Sequence, residues 1–409
     1  MALIPYEDAL ARVLDRVTPT GEVEVGLPSC VGLVTTRDVT APEAVPPFDN
    51  SAVDGFAVRS GDLSTVPCEL EVVATIAAGS AAEVTLGRGE CARIMTGAVI
   101  PRGADAVVMV EDSEAPAPGT GGDRPDTGRV RLLVGTEPGR HVRPAGDDLA
   151  AGDVAVPAGT VLRPAHVGLL ATLGRTTVHT RARPRVGVVS TGDELVGPGV
   201  PLRPGQIRDS NRQMLLALCE RDLVEGIDLG LVTDDEAAIE QVLLDAADGC
   251  DAIVTSGGVS MGDYDYVKAV LGRIGDMEWM QVAIKPAKPF AFGTIGDTPV
   301  FGLPGNPVSS LVSFELFARP GLRAMAGDPD PQRTRLVATA GVDLTRRPDG
   351  KTHFTRVTLE HADGALLARP TGRQGSHQMA ASAGAQALAV VPDGDGIPAG
   401  GRLDVIPLG

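Results

Sequence analysis

The segment TSGGVSMGDYDYVK, which starts at Thr255, combines glycines, hydroxyl groups and carboxylates directly after the apolar run DAIV. A tight turn needs only one glycine, so Gly257, Gly258 and a third glycine further on indicate backbone that approaches another group closely. Asp263 and Asp265 add oxygen ligands that a phosphate alone would not attract. We therefore expect an anion together with a metal ion at this turn. The alternative for Asp265 is a helix N-cap.

Two lysines lie three residues apart in the segment IKPAKPF, at Lys285 and Lys288. The chain has only four lysines among its 36 lysine and arginine residues, so it strongly prefers arginine elsewhere. Pro286 and Pro289 follow the two lysines and restrict the backbone there. The composition therefore argues against a chance pair.

Further polar turns carry candidate residues that also have simple structural explanations. Glu194 in STGDEL suits an exposed acid at a helix start. Asp54 in PPFDNSAVDGFAV suits a turn that hydrogen-bonds its own backbone. Thr96 in IMTGA fits a solvated hairpin turn, and His141 in EPGRHVRPAGDD is typical of a surface residue. The functional interpretation of these residues depends on what lies beside them.

Charge and composition exclude several classes of function. The net charge of −17 and the absence of any lysine or arginine run argue against nucleic-acid binding, although a small anion could still bind in a local positive pocket. No Walker loop, GxSxG or HExxH motif is present, so the common NTPase, hydrolase and zinc-protease mechanisms have no support. The five cysteines form no CxxC pair, which predicts neither zinc nor disulfides.

The amino terminus and the apolar runs bear on localisation. Glu7 and Asp8 lie where a signal peptide would carry positive charge. No apolar run approaches the length of a membrane span, so we expect no membrane association. The protein is therefore expected in the cytoplasm.

The elements that must position these residues alternate from about Pro184 onward. Apolar runs such as RVGVVS, LGLVT and DAIVTS alternate with helical patterns, which predicts a doubly wound, mostly parallel sheet covered by helices on both faces. Ser210 or Asn211 can cap the first of these helices and Thr233 or Asp234 the second. The turns STGDEL, TDDE, TSGGVSMGDYD and GLPGNP all fall at strand ends, where such sheets bind ligands.

Composition divides the rest of the 409-residue chain into further domains. Short β-rich pieces broken by glycine and proline predict an N-terminal β-rich domain over residues 46–139. Residues 1–45 and 140–176 contain helical patterns and are expected to pair as a connecting or dimerisation domain. The α/β domain is expected over 177–325 and a C-terminal β-domain over 326–409.

Taken in order, the motifs PPFDNSAVDGFAV, RIMTGAVIP, GRHVRPAGDD, GVVSTGDEL, IRDSNRQML, VTSGGVSMGDYD, KPAKP and GLPGNPVSS resemble the molybdopterin molybdenumtransferase family, also called MoeA, which includes the E domain of gephyrin. The C-terminal domain also fits in its TGRQGSHQM segment. The resemblance implies the last step of molybdenum cofactor synthesis. In that step adenylylated molybdopterin and molybdate give the active cofactor and AMP, with Mg²⁺ as the usual divalent ion. It also implies an elongated homodimer with shared active sites.

Seven positions match residues that the family uses in catalysis: Asp54, Thr96, Glu194, Asp234, Asp265, Lys285 and Lys288. The resemblance implies that Glu194 and Asp265 hold the metal that activates the phosphoanhydride. Lys285 and Lys288 resemble a molybdate clamp. Asp54 and Thr96 would come from the partner subunit.

Other positions match substrate-binding segments of the family: Ser190, Thr191, Gly192, Gly257, Gly258, Ser260, Pro304, Gly305, Asn306, Pro307 and Ser376. Gly257, Gly258 and Ser260 are implied to line the terminal phosphate or pyrophosphate region. Ser376 would come from the last domain.

Two alternatives come from other functional classes. The related molybdopterin adenylyltransferase has a turn that looks like TGGTG, whereas the turn here reads SGGVS, and that enzyme lacks the additional domains. A scaffold of the gephyrin type would be indicated by the loss of a catalytic acid or lysine, and none is lost. Tungstate in place of molybdate, and contact with a separate adenylyltransferase, stay open.

Overall fold

The computed structural model describes residues 3–114, 128–258, 266–362 and 364–409. The chain forms two compact units. The first comprises Met1–Thr36, Gly159–Arg163 and Thr177–Gly409, and the second comprises Arg37–Ala158 and Pro164–Thr176. The four domain boundaries given above stay a prediction.

The helices are spread over both units, and most follow strands of the α/β region. They are α1 (Tyr6–Leu14), α2 (Pro164–Thr172), α3 (Asn211–Arg221), α4 (Glu236–Gly249), α5 (Tyr266–Ile274), α6 (Pro307–Ser313), α7 (Arg319–Met325) and α8 (Met379–Ala383). A π-helical turn, Phe314–Ala318, joins α6 to α7. No helix in the described ranges is both long and apolar enough to cross a membrane.

Short strands dominate the first part of the chain and longer ones the second. The first group is β1 (Glu22–Gly26), β2 (Val39–Thr40), β3 (Asn50–Ser51), β4 (Gly55–Val58), β5 (Cys68–Ile76), β6 (Glu90–Ile94), β7 (Ala106–Met109), β8 (Ser113–Glu114), β9 (Gly128–Leu132), β10 (Val142–Arg143) and β11 (Val154–Val156). The second group is β12 (Thr177–Arg181), β13 (Arg185–Thr191), β14 (Leu195–Val196), β15 (Ile207–Arg208), β16 (Glu225–Val232), β17 (Ala252–Ser256), β18 (Asp276–Gln281), β19 (Ile284–Lys285), β20 (Pro289–Ile295), β21 (Thr298–Leu303), β22 (Leu336–Ala340), β23 (Leu344–Thr345), β24 (Thr352–Ala362), β25 (Ala365–Pro370), β26 (Ala387–Val391), β27 (Gly396–Ile397) and β28 (Arg402–Pro407).

A six-stranded sheet forms the centre of the first unit, in the order β16-β13-β17-β21-β20-β18. The first four strands are parallel, and β20 and β18 complete the sheet antiparallel to their neighbours. Successive residues of one strand face different cores, since Val188 packs with Leu215 of α3 while Val189 packs with Ile239 of α4. Both faces are therefore covered, which explains the nearly continuous apolar runs and confirms the doubly wound, mostly parallel α/β prediction.

The helix that follows β16 begins differently from the sequence prediction. Asp235 is the N-cap of α4 and accepts a hydrogen bond from the backbone N–H of Ala238 at 2.8 Å. The prediction of Thr233 or Asp234 as the cap was wrong, because the chain is still extended one residue later. Asp234 is thereby left for a different interaction.

The C-terminal β-domain also belongs to the first unit. Its strands pair in the order β24-β25-β22-β28-β26, and β24 pairs with β26 in turn, so the five strands close into a ring around a core that includes Val357 and Val405. The short strand β19 adds to the start of β24, with Lys285 opposite His353. This pairing places the lysine segment against the C-terminal domain.

The second unit is built on a separate six-stranded sheet in the order β7-β4-β6-β5-β9-β8. Alternate residues of these strands, such as Phe56, Leu70 and Val130, form its core. This sheet agrees with the predicted N-terminal β-rich domain.

Candidate active site

The carboxyl ends of the four parallel strands lie at one edge of the central sheet. Ser190 on β13 is in register with Ser256 on β17, which is in register with Leu303 on β21. Thr191 is likewise opposite Val232, the last residue of β16. The four loops that follow these strands therefore share one edge, which we call the strand-end rim.

Glycines let three of these loops approach one another. Gly257 and Gly258 have φ angles of 98° and 71°, a region that favours glycine. The Gly257 N–H donates to the carbonyl of Leu303 at 3.0 Å. A Cβ atom on Gly257 would lie 3.4 Å from the Thr191 carbonyl oxygen, and one on Gly305 would lie 3.7 Å from the Gly257 Cα. The rim consequently presents closely packed backbone. Ser260, Asp263 and Asp265 lie outside the described residues.

Carboxylates from two loops meet at the same rim. The Asp193 N–H donates to Asp234 Oδ2 at 3.3 Å, and the Asp234 N–H donates to Asp193 Oδ1 at 3.1 Å. Glu194 is exposed and folds back over Gly192, where an added Cβ would lie only 2.5 Å from Glu194 Oε2. Gly192 therefore leaves the space that this carboxylate occupies.

The donor set at the rim suits a hard divalent cation. In the described ranges no group of three or more His, Cys, Asp or Glu side chains could by itself hold a metal ion. Mg²⁺ does not need such a cage, since it commonly binds one or two carboxylates together with substrate phosphates. The exposed oxygen atoms of Glu194 fit that mode of binding.

A buried asparagine ties two of the rim loops together. Asn211, the first residue of α3, donates from Nδ2 to Ser256 Oγ at 2.9 Å and to the Gly305 carbonyl at 2.7 Å. Its side-chain oxygen is buried and has no hydrogen-bond partner in the described part of the chain. Asn211 thus links the end of β17 with the loop after β21.

Asp209 anchors a third strand end, that of β13. This carboxylate is 2% exposed and accepts a hydrogen bond from Ser190 Oγ at 3.0 Å. It also accepts from Nε of Arg212 at 2.8 Å, and Arg212 pairs in turn with Asp228 on β16. Sequence reasoning missed Asp209 and Asn211 as site residues because it considered the IRDSNR motif mainly as a helix start. Two polar residues beside a buried helix start were the available signal.

The two candidate lysines extend from a constrained backbone segment at the protein surface. The backbone N–H of Val282 donates to the Lys288 carbonyl at 2.7 Å. Ala287, which lies between the two lysines in the chain, is buried and has a φ angle of 72°. Lys285 and Lys288 are both exposed, and neither forms an ion pair within the described ranges. Their ammonium groups therefore remain available to an external anion.

Ser376 meets the rim through its backbone. Its carbonyl accepts a hydrogen bond from the N–H of Val308 in the first turn of α6 at 3.1 Å. Arg356, which is 1% exposed, holds the loop around Ser376 by donating to the carbonyls of Arg373, Gly375 and Gln378 and to two side chains. Burial lowers the pKa of Arg356. The loop is therefore supported from beneath by a buried cation.

The loop after β21 leads directly into α6. Pro304 is buried, Gly305 and Asn306 are exposed, and Pro307 opens the helix. Asn306 is the N-cap but makes no side-chain capping bond. Its side-chain amide therefore does not stabilise the helix start in the described part of the chain.

Asp54 lies just before β4 and Thr96 just after β6, and the two residues meet in the second unit at what we call the Asp54–Thr96 turn. Asp54 Oδ1 accepts from the Thr96 backbone N–H at 2.6 Å and from the Thr96 hydroxyl at 2.7 Å. These two bonds, the backbone one first, lower the pKa of Asp54. Both residues are exposed, so the turn presents an ionised carboxylate at the surface.

Three family descriptions match the chain in order. They are the MoeA N-terminal region (domain I and II) over residues 4–174, a probable molybdopterin binding domain over 187–324, and the MoeA C-terminal region (domain IV) over 338–408. A curated relative, molybdopterin molybdenumtransferase 2 of Mycobacterium tuberculosis, is 41% identical over 399 residues, which cover 95% of this chain and 94% of the relative. The chain belongs to the molybdopterin molybdenumtransferase family.

Other members of the molybdenumtransferase family match over nearly the whole chain. The molybdopterin molybdenumtransferase of Haemophilus influenzae is 36% identical and covers 93% of this chain and 92% of its own. A crystal structure of the molybdopterin biosynthesis MoeA protein from Pyrococcus horikosii superposes with a TM-score of 0.80 at 32% identity, covering 99% of both chains. These matches confirm the family and the multidomain fold that the motifs predicted.

Proposed function

We propose that this protein inserts molybdate into adenylylated molybdopterin, releases AMP and yields the active molybdenum cofactor. The observation that carries this proposal is the match to molybdopterin molybdenumtransferases over 95% of the chain. An adenylyltransferase role is not favoured, because the relatives that match over this length bear the molybdenumtransferase name. A purely scaffolding role is not favoured either, since the described candidate acids and lysines are present and exposed or half-buried.

The residues at the rim have different proposed roles, which follow from their chemistry. The backbone of Gly257 and Gly258 can approach the phosphate region without side-chain interference. Lys285 and Lys288 supply two positive charges for the molybdate substrate. Asn211 and Asp209 keep the loops that orient the substrate in a fixed arrangement.

Mg²⁺ is proposed as the divalent ion, with Glu194 and Asp265 as its protein ligands. When bound there it would neutralise negative charge on the phosphoanhydride. Asp234 keeps the neighbouring loop in place through its exchange of hydrogen bonds with Asp193.

We further propose a cytoplasmic homodimer with shared active sites. The family resemblance assigns Asp54 and Thr96 to the partner subunit's contribution, and these residues belong to a different compact unit from the rim. The free cysteines of the described chain support a reducing compartment. We also propose a separate molybdopterin adenylyltransferase as a protein partner, because it makes the proposed substrate.

AMP release tests the proposal directly. Purified protein is incubated with adenylylated molybdopterin, with and without molybdate and Mg²⁺, and AMP and metal-loaded cofactor are measured. We expect release to require both ions. Lys285→Ala and Lys288→Ala should each weaken the use of molybdate about ten- to hundredfold, the cost of a lost charge-assisted contact, while binding of the pterin substrate changes less.

Three results would count against this function. Rapid AMP release without molybdate would indicate a hydrolase. Transfer of adenylate from ATP to free molybdopterin would indicate the adenylyltransferase. An equal loss of affinity for both ligands in the lysine variants would assign Lys285 and Lys288 to the pterin phosphate instead.

A further inference from the structure

Helix α5 begins beside the strand-end rim. Its second residue, Val267, is 2% exposed and lines the same small apolar pocket as Thr191 and Thr255, which lie at or next to the carboxyl ends of β13 and β17. Val267 also belongs to the same core as Val189 of β13. The first turn of α5 is therefore packed against the strand ends of the rim.

The next residue, Lys268, contacts the edge strand β18. Its Nζ atom lies over the Trp279 ring, 5.4 Å from the ring centroid. An ammonium group within about 6 Å of an indole centroid is attracted to the face of the ring. Both side chains are half-buried, and Trp279 packs against the same core as Val267. The contact is therefore partly shielded from solvent, which makes a cation–π interaction stronger than at an exposed position.

Strand β18 leads in turn to the lysine segment that contains Lys285 and Lys288. Gln281, two residues after Trp279, is opposite Pro289, which directly follows Lys288. The chain then continues into a residue whose backbone N–H donates to the Lys288 carbonyl at 2.7 Å. Paired strands and hydrogen-bonded backbone transmit displacements as a unit. The position of Trp279 is therefore linked to the position of the two lysines.

We propose that Lys268 and Trp279 are positioning residues that hold the rim and the lysine segment at a fixed separation. The proposed reaction needs the phosphoanhydride at the rim and the molybdate at the lysine segment to be placed against each other, and such alignment contributes to the rate. Loss of the contact leaves both halves of the site present but less well aligned. The proposal rests on the function proposed above, because only a reaction that uses both halves depends on their separation.

The first test is kinetic. Lys268→Met removes the ammonium group and keeps a long, helix-forming side chain. It should lower kcat for molybdate-dependent AMP release about two- to tenfold, the range expected for a half-buried cation–π contact, while KM for adenylylated molybdopterin and for molybdate stays the same. Lys268→Arg should restore the wild-type kcat, because a guanidinium group also binds the face of an indole.

Three kinetic results would overturn the positioning role. An unchanged kcat in Lys268→Met would leave the contact with a structural role alone. A raised KM with an unchanged kcat would make Lys268 a substrate-binding residue. A lowered kcat that Lys268→Arg does not restore would show that the contact with the indole ring is not the cause.

Trp279 offers a second measurement that needs no chemistry, since it is the only tryptophan of the chain. AMP with Mg²⁺ is the probe for the rim and molybdate is the probe for the lysine segment. Each is added alone to full-length protein while tryptophan emission is recorded, with excitation where AMP does not absorb. Both probes should change the emission of wild type. In Lys268→Met the response to AMP should be lost, because it passes through Lys268, whereas the response to molybdate should remain, because β18 leads directly to the lysines.

Arg273→Met is the matched control, because Arg273 is a cation in the last turn of the same helix and pairs with Glu236 and Glu240. It should keep the wild-type kcat and both fluorescence responses, and equilibrium dialysis verifies that AMP binds to every variant. The absence of a response to bound AMP in wild type, or an equal AMP response in Lys268→Met, would overturn the proposal. The same loss of kcat in Arg273→Met would overturn it as well.

The two measurements separate this inference from the proposed function. Wild type that does not release AMP in response to molybdate, but shows the Lys268-dependent fluorescence response, would contradict the function and support the link between the two halves. Wild type that releases AMP normally, with the same kcat in Lys268→Met, would support the function and contradict the inference.

Discussion

The strand-end rim and the Asp54–Thr96 turn differ in how their candidate residues are held in place. At the rim, buried polar groups such as Asn211 and Asp209 connect separate strand ends across the sheet. In the turn, two exposed residues bind each other and depend on little else. A buried network costs stability when one member is lost, whereas an exposed pair does not. At the rim, substitution of a buried residue should therefore lower stability, whereas substitution of an exposed residue should lower only activity. Substitutions in the turn should leave the fold intact.

Glu194→Gln should have the largest effect on catalysis. Glu194 is exposed and its role is proposed to be purely chemical, so removing its charge should lower the rate of AMP release about a hundredfold or more, as for other groups that stabilise charge in a reaction. The melting temperature should not change, because polar loop residues seldom support a core. Glu225→Gln is the control, since Glu225 is an exposed acid at the opposite end of the sheet. A normal rate in Glu194→Gln would remove this residue from the site.

Asn211→Ala should instead reduce stability. The substitution leaves Ser256 Oγ and the Gly305 carbonyl without their shared donor, which should cost about 1–3 kcal/mol of unfolding free energy. Urea denaturation measures the loss. Asn306→Ala is a matched control, because Asn306 is exposed and makes no side-chain capping bond. Equal stability of both variants would show that the buried link between the loops contributes nothing.

The sequence predicted the fold because its signals were local and periodic. Apolar runs of β13 and β17 bounded by glycine predicted parallel strands, and parallel strands must end at one edge of the sheet. The loop residues Glu194, Gly257 and Gly305 were therefore predictable as neighbours. The cap of α4 was not, because Thr233, Asp234 and Asp235 are all suitable cap residues and only the backbone decides between them.

The residues that hold the site were harder to predict. Asn211 acts through contacts with Ser256 and Gly305, which are 45 and 94 residues away in the chain. No local pattern reports such a partner.

Asp54→Asn tests the turn and the shared site together. The variant should keep the wild-type melting temperature, because both residues of the pair are exposed, while AMP release falls. Random exchange of subunits between Asp54→Asn and Asp265→Asn should restore about a quarter of the wild-type sites, since half of the dimers are mixed and each has one intact site. An absence of rescue after verified exchange would show that both residues act within one chain.

The smallest expected effect concerns pH and the C-terminal domain. His353 Nε2 lies 3.2 Å from Asp349 Oδ2, and hydrogen bonds from His353 and Lys351 outweigh desolvation to bring the pKa of Asp349 to about 2. Burial lowers the pKa of His353 itself, so the fold is more stable when this side chain is neutral than when it is protonated. That stability is fully present above the ordinary pKa near 6.5 and is lost as pH falls through the lowered value. The melting temperature should therefore fall slightly more between pH 7.5 and 5 in wild type than in His353→Gln. His361→Gln, an exposed position on the same strand, should behave like wild type, and the same pH dependence in all three proteins would exclude His353 as the cause.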